Sequence, residues 1–164
     1  MNNDIQGKDA NDILSGLDGD DLLKGFTRND QLLGGNGNDQ LFGGNGLDTL
    51  TGGAGNDVFA FDDIHGGKVN LDRIMDFNVA EDTIQLDHAV FTRFTTAGAL
   101  DAGNFVSGAT ARAAHALDAN DFLIYNTTTG TLSYDANGNA VGGVVNLAVL
   151  VGVPALTADD FVIA

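Results

Sequence analysis

Six aspartates recur every ninth residue: Asp12, Asp21, Asp30, Asp39, Asp48 and Asp57. Each stands sixth in a block that opens with glycine, the blocks beginning at Gly7, Gly16, Gly25, Gly34, Gly43 and Gly52. The eighth place is always large and apolar: Leu14, Leu23, Leu32, Leu41, Leu50 and Phe59. The fifth place is Asn or Asp except at Leu47. Carboxylates at so regular a spacing, among glycine turns rich in backbone carbonyls, offer hard oxygen donors. That chemistry suits calcium, which takes six to eight oxygens at flexible angles, better than the tighter octahedron of magnesium. Zinc is disfavoured because the loops carry neither Cys nor His.

The elements that must position these donors follow from the period. Each block divides into a six-residue turn and a three-residue strand. Glycine, and next best Asn or Asp, supplies the left-handed backbone that such turns need. Alternate strand residues face opposite ways, so a three-residue strand turns one side chain inward, the eighth. A flexible Gly-rich linker has no reason to hold Asp and Leu at fixed places through six periods.

The stretch resembles the RTX (hemolysin-type) calcium-binding nonapeptide repeat, a motif that Gly34–Asp39 and Gly52–Asp57 match in full. The resemblance implies an all-β fold: a right-handed parallel β-roll with two nonapeptides per turn, residues 1–60, followed by a mostly-β C-terminal cap, residues 61–164. Blocks one, three and five then stack on one side and two, four and six on the other. Asp12, Asp30 and Asp48 fall in one column, and Asp21, Asp39 and Asp57 in the other. Neighbouring strands are about 4.8 Å apart, where two bare carboxylates repel by roughly 3 kcal/mol at an effective dielectric near 20. A cation between turns removes that repulsion. The implied calcium ligands are the six aspartates together with turn positions Gly16, Asp18, Gly34, Asn36, Gly37, Gly43, Asn45, Gly52, Ala54 and Gly55. Lys8, Ala10, Phe26 and Arg28 interrupt the glycines on the odd-block side, so calcium is expected to bind more tightly along Asp21, Asp39 and Asp57.

Beyond the repeats, Phe59–Phe61 suits an end seal. Asp72–Phe77 and Glu81–Leu86 read as two short strands with acids at their starts. They are similar to the segment that follows the repeats in serralysin-type proteases and alginate epimerase modules. The resemblance implies that Asp72 and Asp82 help hold a calcium at the last turn, although Gln85 stands where relatives often have Asp. The bare reading of both residues is a turn or cap acid. Leu100, Phe105 and Val106 are expected in the core. A short helix is expected over 109–117, capped by Thr110, and a hairpin pairs Phe122–Tyr125 with Thr131–Tyr134. Asp135–Asn139 is a turn rather than an EF-hand loop, whose later ligands it lacks. Val144–Val151 is a strand, Thr157–Asp160 a capped helical turn, and Phe161–Ala164 a last strand. Ile5 fits the eighth place of a broken earlier block.

The chain of 164 residues carries a formal charge of −16 and no Cys. That balance speaks against nucleic acid and against anionic membrane; stability without disulfides points again to bound calcium. The start, Met1-Asn2-Asn3-Asp4, is not a signal peptide, and Val144–Val153 is too short for a transmembrane span. Acids followed by apolar residues at Asp159–Ala164 resemble the C-terminal signal of RTX proteins exported by type I (ABC-transporter) machinery. There is no His-Glu-x-x-His, nucleophile elbow or phosphate loop, and His65, His88 and His115 read as surface or capping residues. The expected function is a calcium-binding module of a secreted, extracellular protein, folding on calcium outside the cell. The alternative is a calcium-dependent binding module for acidic polysaccharide or a cell surface, attached to an upstream protease, lipase or epimerase. No residues support catalysis in this chain.

Overall fold

The computed structural model describes residues 1–63, 71–109, 121–138 and 143–164. Its strands are β1 (Asp4–Gln6), β2 (Ile13–Asp18), β3 (Leu22–Lys24), β4 (Gln31–Asn36), β5 (Gln40–Phe42), β6 (Thr49–Ala54) and β7 (Val58–Phe61) through the repeats. After them come β8 (Asp72–Ile74), β9 (Thr83–Leu86), β10 (Gly98–Ala99), β11 (Phe105–Gly108), β12 (Leu123–Asn126), β13 (Thr131–Asp135), β14 (Val144–Leu150) and β15 (Phe161–Ile163). The fold is all-β, and the repeats form a parallel β-roll. One sheet runs β1-β3-β5-β7-β9-β15-β10 and the other β11-β12-β13-β14-β8-β6-β4-β2.

The eighth-place side chains build the core. Leu14, Leu32 and Leu50 lie in register across β2, β4 and β6, and Leu23, Leu41 and Phe59 across β3, β5 and β7. All six are buried. Ile5 pairs with Leu23, as its place in a broken block requires. The two ladders do not stop where the period does. Ile74 continues one and is followed by Leu150; Ile84 continues the other and is followed by Phe161. The Phe59–Phe61 strand is therefore an interior strand and not an end seal, because β9 pairs along its whole length.

The turns on the two sides differ. Strands β2, β4 and β6 run six residues, so pairing continues through the first three turn positions of blocks two, four and six. The odd-block turns keep only an isolated bridge, Thr27 to Asn45. The simple division into a six-residue turn and a three-residue strand thus holds on one side alone.

After β9 the chain leaves the roll and returns. Strands β14 and β15 add a further parallel layer, on β8 and β9 respectively. The hairpin β12–β13 forms as expected, around Asn126–Gly130, and extends the second sheet antiparallel to β14. Asp135 accepts from the Asn137 N–H, the mark of a turn. Thr157 and Asp160 make a reciprocal capping box on a 3-10 turn, Ala158–Asp160. Phe91, Phe94, Tyr134, Phe122, Phe105 and Phe161 pack as ring pairs at 5.1–6.3 Å between centroids. Leu100 is buried, whereas Phe105 and Val106 are half-buried. The expected helix falls outside the described residues beyond Ala109, as do His65, His115 and Asn139. No helix among the described residues is long and apolar enough to cross a membrane.

Candidate metal centre

The roll places the aspartates in the two expected columns and links each to the next layer. The Asp12 N–H donates to Asp30 Oδ1, Asp30 to Asp48 and Asp48 to Asp72; in the other column Asp21 donates to Asp39, Asp39 to Asp57 and Asp57 to Asp82. The Asn3 N–H serves Asp21 in the same way. These bonds span 2.6–3.0 Å. Asp72 and Asp82 therefore stand as the next rungs of the columns. They lie 24 and 25 residues after their partners, where the repeats use 18. The fifth-place side chains form a parallel ladder: Asn11, Asp20, Asn29 and Asn38 accept from the N–H of residues 29, 38, 47 and 56. Leu47 ends its column as a donor, which a leucine can do as well as an asparagine.

The second carboxylate oxygen is the chemical feature of the site. Oδ2 of Asp21, Asp30, Asp39, Asp48 and Asp57 is buried and accepts no hydrogen bond from the protein. Buried acceptors are almost always satisfied, and leaving one bare is costly. Each of these oxygens points at the glycine that opens its own block: a Cβ on Gly16, Gly25, Gly34, Gly43 or Gly52 would come under 3.0 Å from it. The main-chain oxygens of Gly34, Gly43 and Gly52 crowd the same spots beside Gly16, Gly25 and Gly34. The first-place glycines are thus needed to leave room for converging oxygens. Gly37 and Gly55, at φ 134° and 131°, lie against the Gly19 and Gly37 carbonyls of the preceding turn.

Asp12 differs, being half-buried with its Oδ2 accepting from the Lys8 N–H at 2.6 Å. Asp82 Oδ2 accepts from Asn78 at 2.8 Å. Asp18 and Asn36 are exposed and bond to each other, and Ala54 continues their register. Asn45 is held in the odd-side turn by its N–H to the Phe26 carbonyl at 2.7 Å. Two residues escaped the sequence reading. Gly25 has the same relation to Asp30 as the glycines named above, and its place at the head of a block already signalled this. Asp76 accepts from the N–H groups of both Gly52 and Gly53 at 3.0 Å; its only signal was a second acid four residues beyond the β8 strand start.

Burial raises these carboxylates. Asp48 and Asp57 are pushed up to about 6 and Asp72 to about 8 from an ordinary 3.8, first by loss of solvent and then by the neighbouring carboxylates. Asp30, Asp39 and Asp82 move the same way, again chiefly by burial. No group of three or more His, Cys, Asp or Glu side chains converges on one point among the described residues. A cation here must therefore draw on main-chain oxygens as well as carboxylates. That mixed, hard oxygen set fits calcium, and the bare buried Oδ2 atoms supply its anionic partners.

Residues 1–25 and 24–59 match the RTX calcium-binding nonapeptide repeat family, in four copies. The match covers the repeat segment, and RTX nonapeptide repeats are calcium-binding. A comparison with curated proteins gives no match. Among solved structures, the solution structure of the AlgE6R3 subunit from the Azotobacter vinelandii mannuronan C5-epimerase is similar at 28% identity, with 89% of this chain and 79% of that one covered and a TM-score of 0.28.

Proposed function

We propose that this calcium-binding module belongs to a secreted protein, and that calcium outside the cell completes its folding. The five bare, buried Oδ2 atoms carry this reading. Without a cation each is an uncompensated acceptor, stacked on others of the same sign. Calcium binds the folded carboxylate columns and not the open chain, so it stabilises the fold by mass action, about 2.7 kcal/mol per site at a hundredfold excess over Kd. Its ligands in this proposal are Oδ2 of Asp21, Asp30, Asp39, Asp48 and Asp57 with the glycine carbonyls beside them, and Asp72 and Asp82 close the two columns. At low calcium the roll stays open and can be threaded by a type I exporter that reads the C-terminal residues. Circular dichroism titrated with calcium tests the folding step. A β-spectrum should grow in with calcium and be lost in chelator; a full β-spectrum in excess chelator would refute it.

A further inference from the structure

We propose that the outer side of the roll carries a binding subsite for a neutral hexopyranose unit, walled by Phe26 and Phe42. The starting observation is a backbone outlier. Phe26 occupies the second place of its block with φ 73°, where the blocks at Gly34, Gly43 and Gly52 have glycine at φ 84–120°. The left-handed region is unfavourable for a side-chain-bearing residue, and the phenyl gains little burial in return, being 44% exposed. Strained residues of this kind persist where they have work to do. Leu17 shares the backbone conformation, but Phe26 also borders an open cleft of about 320 Å³.

The roll's period assembles that cleft. Lys24 and Phe42 are in register on β3 and β5, and the Lys24 ammonium lies 5.0 Å from the Phe42 ring centroid. Gly44 stands one turn after Phe26 and leaves the floor without a side chain, while Asn45 is bridged to Thr27 at the edge. Asp62 and Asp63 complete the lining. The lining thus combines two aromatic rings with an ammonium, an amide and two carboxylates, apolar surface with a few polar groups as in small-molecule sites. A pyranose has both complements: an apolar C–H face for the rings, and hydroxyls that accept from Lys24 and Asn45 and donate to Asp62. Two carboxylates against one ammonium leave the lining locally acidic. That field disfavours anionic sugars, which is why the ligand is assigned as neutral. The volume accommodates about one ring, so a longer chain would engage through a single unit.

The test uses the calcium-loaded chain and backbone NMR. Maltohexaose, cellohexaose and mannohexaose are titrated as neutral probes and a galacturonate oligomer as the acidic one. At least one neutral probe should move the amides of Lys24, Phe26, Phe42, Gly44 and Asn45 with a Kd near 1 mM. Phe42→Ala and Lys24→Gln should each weaken that binding by about fivefold or more. Phe26→Gly should weaken it too while raising the thermal midpoint, a combination that a purely structural phenylalanine would not give. The proposal is overturned if no neutral probe shifts these amides at about ten times that concentration, if the acidic oligomer binds more tightly, or if Phe26→Gly leaves binding intact. Calcium-driven folding is read separately by circular dichroism, so failure of this subsite and failure of the calcium reading are distinguishable.

Discussion

At the scale of single residues, the columns are asymmetric. Asp39 stands mid-column, bonded to Asp21 and Asp57, with glycines at every first and fourth turn position around it. Asp30 also stands mid-column, but the turn of its own block holds Phe26 and Arg28 at φ 73° and 83°, and its neighbour Asp12 already has its Oδ2 taken by Lys8. Asp39→Ala should therefore lower calcium affinity at least about tenfold more than Asp30→Ala, or about 1.4 kcal/mol. Isothermal titration of the two variants decides it, and equal losses would contradict the argument from turn glycines. The raised carboxylates also set a pH dependence. Asp48 and Asp57 at about 6 and Asp72 at about 8 lie above their unfolded value. In chelator their contribution is fully present below about pH 4 and is lost as pH rises through 6 and 8. Calcium needs the ionised form, so its affinity should rise over the same interval. Circular dichroism in chelator should show β-content falling from pH 5 to pH 8.5, and the gain on adding calcium growing over the same interval. A calcium gain that shrank with pH would count against these carboxylates as ligands.

At the scale of elements, the last strand belongs to the sheet as well as to the proposed export signal. Phe161 and Ile163 are 2% and 3% exposed, and β15 joins β9 to β10. The C-terminal carbonyl oxygen accepts from the His88 N–H at 3.0 Å, and the His88 ring lies against the same atom. A terminal segment that served only as an address could be removed without harm to folding; this one is core. Each buried side chain contributes about 1.5–3 kcal/mol. Deleting residues 159–164 should therefore abolish a cooperative calcium-driven transition as well as export. Retained folding with a normal midpoint would show that β15 is dispensable to the sheet. The same burial implies that a chain folded before export would hide the proposed signal.

At the scale of the whole molecule, the nine-residue period ends near residue 60 but the strand pairing does not. The aliphatic ladders pass from Leu50 to Ile74 to Leu150, and from Phe59 to Ile84 to Phe161. The buried side chains from Leu14 to Ile163 form one cluster. Calorimetry of the calcium-loaded chain should give a single transition with equal calorimetric and van't Hoff enthalpies. Two resolved transitions would mean that residues 1–60 and 61–164 unfold as separate units.

The sequence by itself determined whatever depends on local backbone chemistry at a fixed period. Gly, Asp and Leu at places one, six and eight dictate turn, ligand and core in every block, so the short strands and the calcium chemistry could be read from spacing, while the roll and its two columns followed from the resemblance to the RTX repeat. The hairpin around Asn126–Gly130 and the Thr157 cap were readable for the same reason, being contacts between near neighbours in the chain. Only the tertiary structure decided where each side chain's second partner comes from. Asp72 and Asp82 become rungs because extra residues after the repeats bring β8 and β9 back into stack, which no period announces. Asp76 reaches the Gly52 and Gly53 amides, and Phe26 meets Phe42 and Lys24 across a cleft, through layer stacking rather than sequence proximity. The insertion of β15 beside β9 lies furthest from local reading. Hydrophobic burial is non-directional, so a terminal apolar strand can be recognised as needing a partner, but which edge it takes is fixed only when the whole sheet is in place.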